Sequence, residues 1–177
     1  MNRLLKSVLL TFCSLAFVAC TTPPKVLTEK EPFDPHNKWG FVDNTGKVVI
    51  EPKFEAVKPF SEGLAAVVKD RRWGYIDKEG KEAIEPKYDV VTPFSDGMAA
   101  VSTNGKWGYI DKTGKLVIPL DYDGAKEFSD GFAGVKEGNY WSYISKENKK
   151  IAEGYKDVGK FSCGLGAFKT DAGWGYV

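Results

Sequence analysis

The chain has 177 residues, enough for one well-filled hydrophobic core and too few for two. Its 25 Lys and Arg stand against 24 Asp and Glu, a formal net charge of +1, so it lacks the basic excess that nucleic-acid binding requires. Aromatic residues make up 14% of the chain, which argues against a disordered polypeptide.

The first 19 residues have the three parts of a secretory signal. Two basic residues come first, a mostly apolar stretch (8–17) follows, and the small residue Ala19 precedes the expected cleavage point. The alternative is an uncleaved membrane anchor, which needs about 18 to 20 apolar residues. Residues 4–19 offer only 16 positions, and polar side chains interrupt them. Removal of residues 1–19 would leave 23 basic and 24 acidic residues, a net charge of −1.

The end of this segment resembles the lipobox of bacterial lipoproteins: Phe17-Val18-Ala19-Cys20, with Phe where that motif most often has Leu. The resemblance implies that Cys20 is diacylated, becomes the new N-terminus and is acylated again, for instance with palmitate. Two or more acyl chains hold a protein stably on a membrane, whereas one binds marginally. Thr21 resembles the non-Asp residue that lets enterobacterial lipoproteins reach the outer membrane. The expected location is therefore the bacterial cell envelope, outside the cytoplasm, with the outer membrane favoured if the source has two membranes.

Residues 20–36 predict an extended tether after the lipid anchor. The segment is rich in Thr, Lys and Glu and contains four prolines: Pro23, Pro24, Pro32 and Pro35. At ~3.1 Å per residue in a polyproline-type conformation, it could hold the folded domain up to ~50 Å from the membrane. The one histidine, His36, ends the tether, and a Ser/His or Cys/His catalytic pair would have to use it.

Cysteine content excludes an intrachain disulfide and a Cys/His zinc site in the mature protein. Cys13 leaves with the signal and Cys20 carries lipid, so Cys163 remains alone. We expect Cys163 to be an inert, partly exposed thiol; the alternative is an intermolecular disulfide.

Residues 37–177 consist of successive repeats of about 34 residues, and the five tryptophans mark this period. These are spaced 34, 34, 34 and 33 apart: Trp39, Trp73, Trp107, Trp141 and Trp174. A fixed period of this length indicates an array in which each unit buries its apolar face against its neighbours. The helical tetratricopeptide repeat has the same period, but its Trp and Gly are four apart. Here they are adjacent, which excludes that fold.

Each unit is predicted to be a three-stranded antiparallel meander. Residues 107–111 alternate between two faces, as in a strand, and Asn104-Gly105 before them is a strong hairpin signal. With strand c at 97–101, strand a at 107–111 and strand b at 115–118, the chain reads ab, cab, cab, cab, ca. This gives an all-β open array of about 13 short strands, because the first unit lacks c and the last lacks b.

Three segments closely resemble the WG (KWG) repeat family: KWGFVDNTGK at 38–47, RWGYIDKEGK at 72–81 and KWGYIDKTGK at 106–115. In the fourth copy Ser142 replaces Gly and Ser145 replaces Asp, which weakens its turn. The resemblance covers residues 37–177. It implies a β-rich repeat found widely in bacterial proteins, with no shared catalytic residues and no agreed ligand.

Three groups of acidic residues are candidates for chemistry. They are the residues that open each a–b turn (Asp43, Asp77 and Asp111), those before the Gly of strand c (Glu62, Asp96 and Asp130), and a faint echo of a calcium loop (Asp121, Asp123 and Gly124). We expect the first two groups to form turns. The alternatives are an acid/base pair for the first group and a carboxylate row that attracts cations or basic partners for the second. The third group lacks the calcium-loop spacing and its distal Glu. No catalytic residue, metal or cofactor is therefore predicted.

The tryptophan column has two interpretations. Each ring could pack across the glycine of a neighbouring strand and form the core, since one buried aromatic removes ~150–250 Å² from water. The alternative is an exposed platform that stacks cell-wall sugars. We favour the core, and with it a non-enzymatic envelope scaffold that binds another protein. A glycan- or peptidoglycan-binding lipoprotein is the alternative, and an enzyme or enzyme subunit is the third hypothesis.

Overall fold

The computed structural model describes residues 37–177. The predicted signal (1–19), the lipid-bearing Cys20 and the tether (20–36) with His36 lie outside the described residues. Residues 37–177 contain no helix, and therefore none that could cross a membrane.

The described residues form 17 strands in five antiparallel sheets. The first sheet pairs β1 (Trp39–Val42) with β2 (Val48–Phe54). The second contains β3 (Ala56–Val57), β4 (Ala65–Lys69), β5 (Arg72–Ile76) and β6 (Glu82–Tyr88). The third contains β7 (Val90–Val91), β8 (Met98–Thr103), β9 (Lys106–Asp111) and β10 (Leu116–Tyr122). The fourth contains β11 (Gly124–Ala125), β12 (Phe132–Glu137), β13 (Tyr140–Ser145) and β14 (Lys150–Tyr155). The fifth contains β15 (Asp157–Ser162), β16 (Leu165–Thr170) and β17 (Gly173–Tyr176). In every sheet, spatial order follows chain order.

The structure confirms the predicted meander and contains one further strand in each linking segment. Strands c, a and b of the third unit are β8, β9 and β10, and the c–a hairpin closes with Thr103 opposite Lys106. Its two turn residues, Asn104 and Gly105, have φ of 52° and 77°, as a type I′ turn requires. The additional strands are β3, β7, β11 and β15, and they account for 17 strands instead of 13. A strand of two residues has no periodicity to detect, so the sequence did not indicate β3, β7 and β11.

Apolar side chains fill the space between neighbouring sheets. A recurring aromatic pair forms part of each interface: the ring of strand a contacts the Phe of the following linking segment at centroid distances of 4.7 to 4.8 Å, as in Tyr109 with Phe128. All the extensive contacts between described sheets join sheets that are adjacent in the chain. The core is therefore a series of separate layers, one per repeat, as expected for a repeat array.

The glycine after Trp39, Trp73 and Trp107 makes room for backbone, not for a Trp ring as expected from the sequence. A Cβ on Gly108 would lie 2.4 Å from the carbonyl oxygen of Ile118 in β10. The β9–β10 register shifts at this point, so β10 bulges towards the glycine. In the fourth copy Ser142 replaces this glycine, and β14 instead carries Gly154 at φ 86°. The copy that lacks the glycine thus has a different bulge.

Candidate functional site

The aspartates of the a–b turns accept hydrogen bonds from within their own turns. Asp111 Oδ1 accepts hydrogen bonds from the backbone N–H groups of Thr113 (2.9 Å) and Lys115 (3.1 Å), and Gly114 has φ 83°. The Thr113 hydroxyl, 2.6 Å away, is the main cause of the lowered pKa of Asp111. The same geometry recurs in the first and second copies, at Asp43 and Asp77. The turn prediction is confirmed, and each of these carboxylates lies in a different sheet, which does not favour an acid/base pair.

The turn of the fourth copy is weaker, as its sequence predicts. Ser145 stands where the other copies have Asp, and its hydroxyl accepts from the backbone N–H groups of Glu147 and Lys149 at 3.3 and 3.4 Å. These distances exceed the usual range for a backbone hydrogen bond. Asn148, with φ 61°, replaces the turn glycine.

The residues before the strand-c glycine adopt the left-handed conformation that the turn prediction requires. Their φ angles lie between 51° and 54°: Glu62, Asp96, Asp130 and Cys163. Cys163 is exposed and is a free thiol. Two of the carboxylates also reach the next sheet. Glu62 accepts from the backbone N–H of Gly97 at 3.1 Å, and Asp96 accepts from Gly131 at 2.7 Å. These two side chains therefore help to join sheets.

A serine ladder next to these carboxylates was missed by the sequence analysis. Each hydroxyl donates to the carbonyl oxygen of the Phe in the next linking segment: Ser61 to Phe94 (2.6 Å), Ser95 to Phe128 (2.7 Å) and Ser129 to Phe161 (2.7 Å). The 34-residue spacing of these serines is a signal that could have identified them.

Asp123 serves an ion pair instead of a calcium loop. Its Oδ1 accepts from Lys106 Nζ at 2.6 Å, its Oδ2 accepts from the backbone N–H of Gly138 at 2.7 Å, and the lysine is the main cause of its lowered pKa. Both oxygens of the carboxylate are therefore engaged. Among residues 37–177, no three His, Cys, Asp or Glu side chains are grouped closely enough to hold a metal ion.

The tryptophans flank the core and do not form its centre. Trp73, Trp107 and Trp141 are half-buried against the apolar clusters, while Trp39 and Trp174 are 43% and 59% exposed. The fully buried aromatic column is instead the tyrosine two residues later: Tyr75, Tyr109 and Tyr143. As expected, the inner tryptophans contact the core, but the expectation that they form its centre is wrong, because the tyrosines are buried more deeply. The reason is position, because Trp lies near the start of strand a and Tyr at its middle.

Two equivalent grooves open between sheets, and neither was expected from the sequence. The first groove, of about 260 Å³, lies between the first and second sheets and is lined by Lys53, Phe54, Val67, Lys69, Ile76, Gly80, Glu82 and Pro86. The second groove, of about 410 Å³, lies between the second and third sheets and is lined by Lys87, Tyr88, Thr103, Gly114, Leu116 and Leu120. All six residues of the second groove stand 34 positions after a residue of the first. The grooves are therefore the same feature of successive repeats.

A lysine lies at the mouth of each groove, over an aromatic ring of the floor. Lys53 Nζ is 5.3 Å from the ring centroid of Phe54, and Lys87 Nζ is 5.6 Å from that of Tyr88. Phe54 and Tyr88 are 4% and 5% exposed, whereas both lysines are exposed. Within the described part of the chain neither ammonium has a carboxylate partner. Each groove thus combines an apolar floor with an available positive charge.

The third interface has a different set of charges. Asp121 and Glu137 stand 34 positions after Lys87 and Thr103, and the Tyr122 hydroxyl donates to Asn148 Oδ1 at 2.6 Å across the equivalent position. A depression of about 300 Å³ is found on the fourth sheet alone, with Glu137 and Glu153 at its rim. Among residues 37–177, the residue before the floor aromatic is therefore lysine only at the first two interfaces.

Comparisons with known proteins identify the repeat. A family described as "WG containing repeat" matches four times, at residues 39–72, 73–107, 107–141 and 141–174. No curated protein is similar enough in sequence to match the chain. Among solved structures the chain is similar to "KlHsv2 with loop 6CD replaced by a Gly-Ser linker", with 14% identity and a TM-score of 0.43. That similarity covers 63% of this chain and 42% of the other, so the chain spans less than half of that protein's length.

Proposed function

Since the chain belongs to the WG-repeat family, we propose that it is a membrane-anchored, non-enzymatic scaffold that binds another protein in the bacterial cell envelope. One observation carries the proposal: two equivalent grooves, each with an apolar floor and a lysine at its mouth, lie on consecutive repeats. Repeat proteins commonly use a surface that extends over several units to bind a partner.

The roles of the candidate acidic residues also favour binding over catalysis. Asp111 and its counterparts cap turns, Glu62 and Asp96 join sheets, and Asp123 is held by Lys106. Six of the eight carboxylates that the sequence offered for chemistry therefore have structural roles. Repeat β-domains of this family are in general not catalytic.

The anchor we propose is lipid on Cys20, followed by the tether of residues 20–36. The support is the sequence alone: a signal-like segment that ends in Ala19-Cys20 and a proline-rich stretch after it. Growth with radiolabelled palmitate tests this directly. We expect label on the wild-type chain and none on Cys20→Ala, while Cys163→Ala keeps the label as the matched control. Label on Cys20→Ala would reject the anchor.

The scaffold role is tested by crosslinking the intact chain in its own membrane. We expect a discrete crosslinked species that contains a second protein, because a scaffold must have a partner in place. If no protein crosslinks under conditions in which known envelope complexes do, the scaffold role is wrong.

Glycan binding is the second candidate, and the exposure of Trp39 and Trp174 favours it. The three inner tryptophans offer less ring surface. Trp73 and Trp141 lie beneath Lys58 and Lys126, at 5.4 and 4.7 Å from the ring centroids. Purified peptidoglycan separates the two functions, since a glycan binder should sediment with it and Trp39→Ala should weaken that association.

A further inference from the structure

We infer that the first and second grooves together bind an extended acidic segment of the partner, with one apolar side chain in each groove and carboxylates against Lys53 and Lys87. The inference rests on the proposed scaffold function and names the chemistry of the partner. Three observations support it: the floors of the grooves are apolar, their mouths carry lysines, and the third interface lacks these lysines.

The floors of the grooves favour an apolar side chain. In the first groove Phe54, Val67 and Ile76 are 2% to 4% exposed and give the floor no charged group. Volumes of about 260 and 410 Å³ are near the lower end of the ~300–1,000 Å³ typical of small-molecule sites. Each groove therefore suits one side chain of a larger ligand better than a whole cofactor.

The mouths of the grooves favour a carboxylate next to that side chain. The residues that line the two grooves include three lysines (Lys53, Lys69 and Lys87) and one glutamate, Glu82, which pairs with Lys69 at 3.5 Å. The other two ammonium groups contact only rings and, for Lys53, the carbonyl oxygen of Gly80 at 3.5 Å. An ammonium group that lies over an aromatic ring has already lost part of its hydration shell. It therefore pays a smaller desolvation penalty on forming an ion pair than a fully hydrated ammonium does.

The third interface shows that the repeat fold does not require this arrangement. Asp121 replaces the lysine there, and the bond from Tyr122 to Asn148 occupies the equivalent position. The same architecture thus exists without a lysine-mouthed groove. The lysines of the first two interfaces are consequently a feature that architecture alone does not explain.

Prolines in the strands beside the grooves disfavour recognition through the main chain. The edge strands next to the grooves contain Pro52 and Pro86, which lack the N–H that an added strand would need. An anionic polysaccharide would match the lysines, but it has no apolar side chain for the floor. An acidic peptide with interspersed apolar residues matches both parts.

The experiment uses the full-length chain in detergent and a fluorescent eight-residue peptide of glutamates with one leucine and one phenylalanine. Each apolar residue has a glutamate two positions away, so that both side chains lie on the same face of the extended peptide. At ~3.3 Å per residue the peptide extends ~26 Å, which spans two grooves if neighbouring sheets pack ~10 Å apart. We expect it to bind about tenfold more tightly than the same peptide with lysine for glutamate, because that change replaces attraction with repulsion. Equal affinity for the two peptides would overturn the inference.

Two double variants with the same change of charge complete the test. Lys53→Glu with Lys87→Glu should weaken peptide binding about tenfold, since two ion pairs of up to ~1 kcal/mol each are lost. Lys47→Glu with Lys149→Glu, at exposed positions in the first and fourth a–b turns, none of whose residues lines either groove, should bind as the wild type does. The inference is wrong if both double variants bind alike, or if polygalacturonate displaces the peptide at equal carboxylate concentration.

The same variants distinguish this inference from the scaffold role. If the envelope partner crosslinks equally well to Lys53→Glu with Lys87→Glu, the scaffold stands and the grooves are not its binding site. If the wild-type chain crosslinks to no protein, the scaffold role fails whatever the peptide does.

Discussion

The Tyr109 hydroxyl donates a hydrogen bond of 2.8 Å to the carbonyl oxygen of Lys126, which lies in the linking segment that leads into the next sheet. The side chain is fully buried, and burial raises the pKa of its hydroxyl. Equivalent bonds join Tyr75 to Thr92 (2.7 Å) and Tyr143 to Gly159 (3.0 Å). The central column of tyrosines thus supplies both apolar surface and one directional bond at each interface.

Replacement of Tyr109 by Phe should destabilise the domain by about 1–2 kcal/mol, because the carbonyl oxygen of Lys126 loses its side-chain donor in a buried setting. Chemical denaturation of the full-length chain measures this as a lower free energy of unfolding. Tyr176→Phe is the matched control: this side chain is 75% exposed and should show no change. Equal effects of the two substitutions would contradict the assigned role.

The buried tyrosine should matter more for stability than the tryptophan that first reveals the repeat. Tyr109→Ala should cost about 3–5 kcal/mol, the range for a large buried aromatic. Trp107→Ala should cost about 2 kcal/mol, since its side chain is only half-buried. Denaturation of the two variants gives the comparison. If Trp107→Ala proves the more damaging, our assignment of the core centre to tyrosine is incorrect.

Gly108→Ala should cost about 3 kcal/mol, because the new methyl group would meet the backbone of β10 and not a side chain that can move aside. In the fourth copy, Ser142→Ala only removes a hydroxyl at the equivalent position and should cost less than about 1 kcal/mol. The difference between the two free energies of unfolding is the measurement. A well-tolerated alanine at residue 108 would mean that the bulge of β10 is free to shift.

Asp111 should make the domain sensitive to acid. Its pKa is below the ordinary value of 3.8, chiefly through the Thr113 hydroxyl, so its contribution is present above that ordinary value and is lost as the pH falls through the lowered pKa. Asp111→Asn should therefore reduce stability at neutral pH and flatten its decline below pH ~4. Thermal melts between pH 2 and 7 test this. Asp130→Asn, the same substitution in a different turn, is the control. The prediction is refuted if the melting temperatures of the wild type and of Asp111→Asn fall in parallel as the pH is lowered.

Much of the fold could be predicted because its signals are local. Asn104-Gly105 specifies a hairpin, Asp111 with Gly114 specifies a turn, and alternation in residues 107–111 specifies a strand; all three are confirmed. The depth of Trp and Tyr was not predictable from alternation, which places both on one face and does not say which lies deeper. The role of Gly108 depends on a bulge in the partner strand, which no local pattern reveals.

The grooves were beyond sequence analysis for a different reason. Lys53 and Phe54 belong to one sheet and Val67 and Ile76 to the next, so the groove exists only once the two sheets have packed. The sequence supplied the 34-residue register that relates the two grooves. It did not say that Phe54 and Tyr88 form a floor beneath the lysines.

The hydrogen bonds from Ser95 to Phe128 and from Ser129 to Phe161 have consequences for how such a chain can change length. The second, third and fourth interfaces use the same serine donor, the same Phe carbonyl acceptor and the same Tyr–Phe pair. Removal of one whole unit between them therefore brings together two surfaces that already fit. Deletion of residues 73–106 joins Arg72 to Trp107 and would place Ser61 against the Phe128 carbonyl. Such a chain should still fold, whereas a deletion of half that length should not. Gain and loss of 34-residue units is therefore a route by which this protein could acquire or discard a groove without redesigning its core.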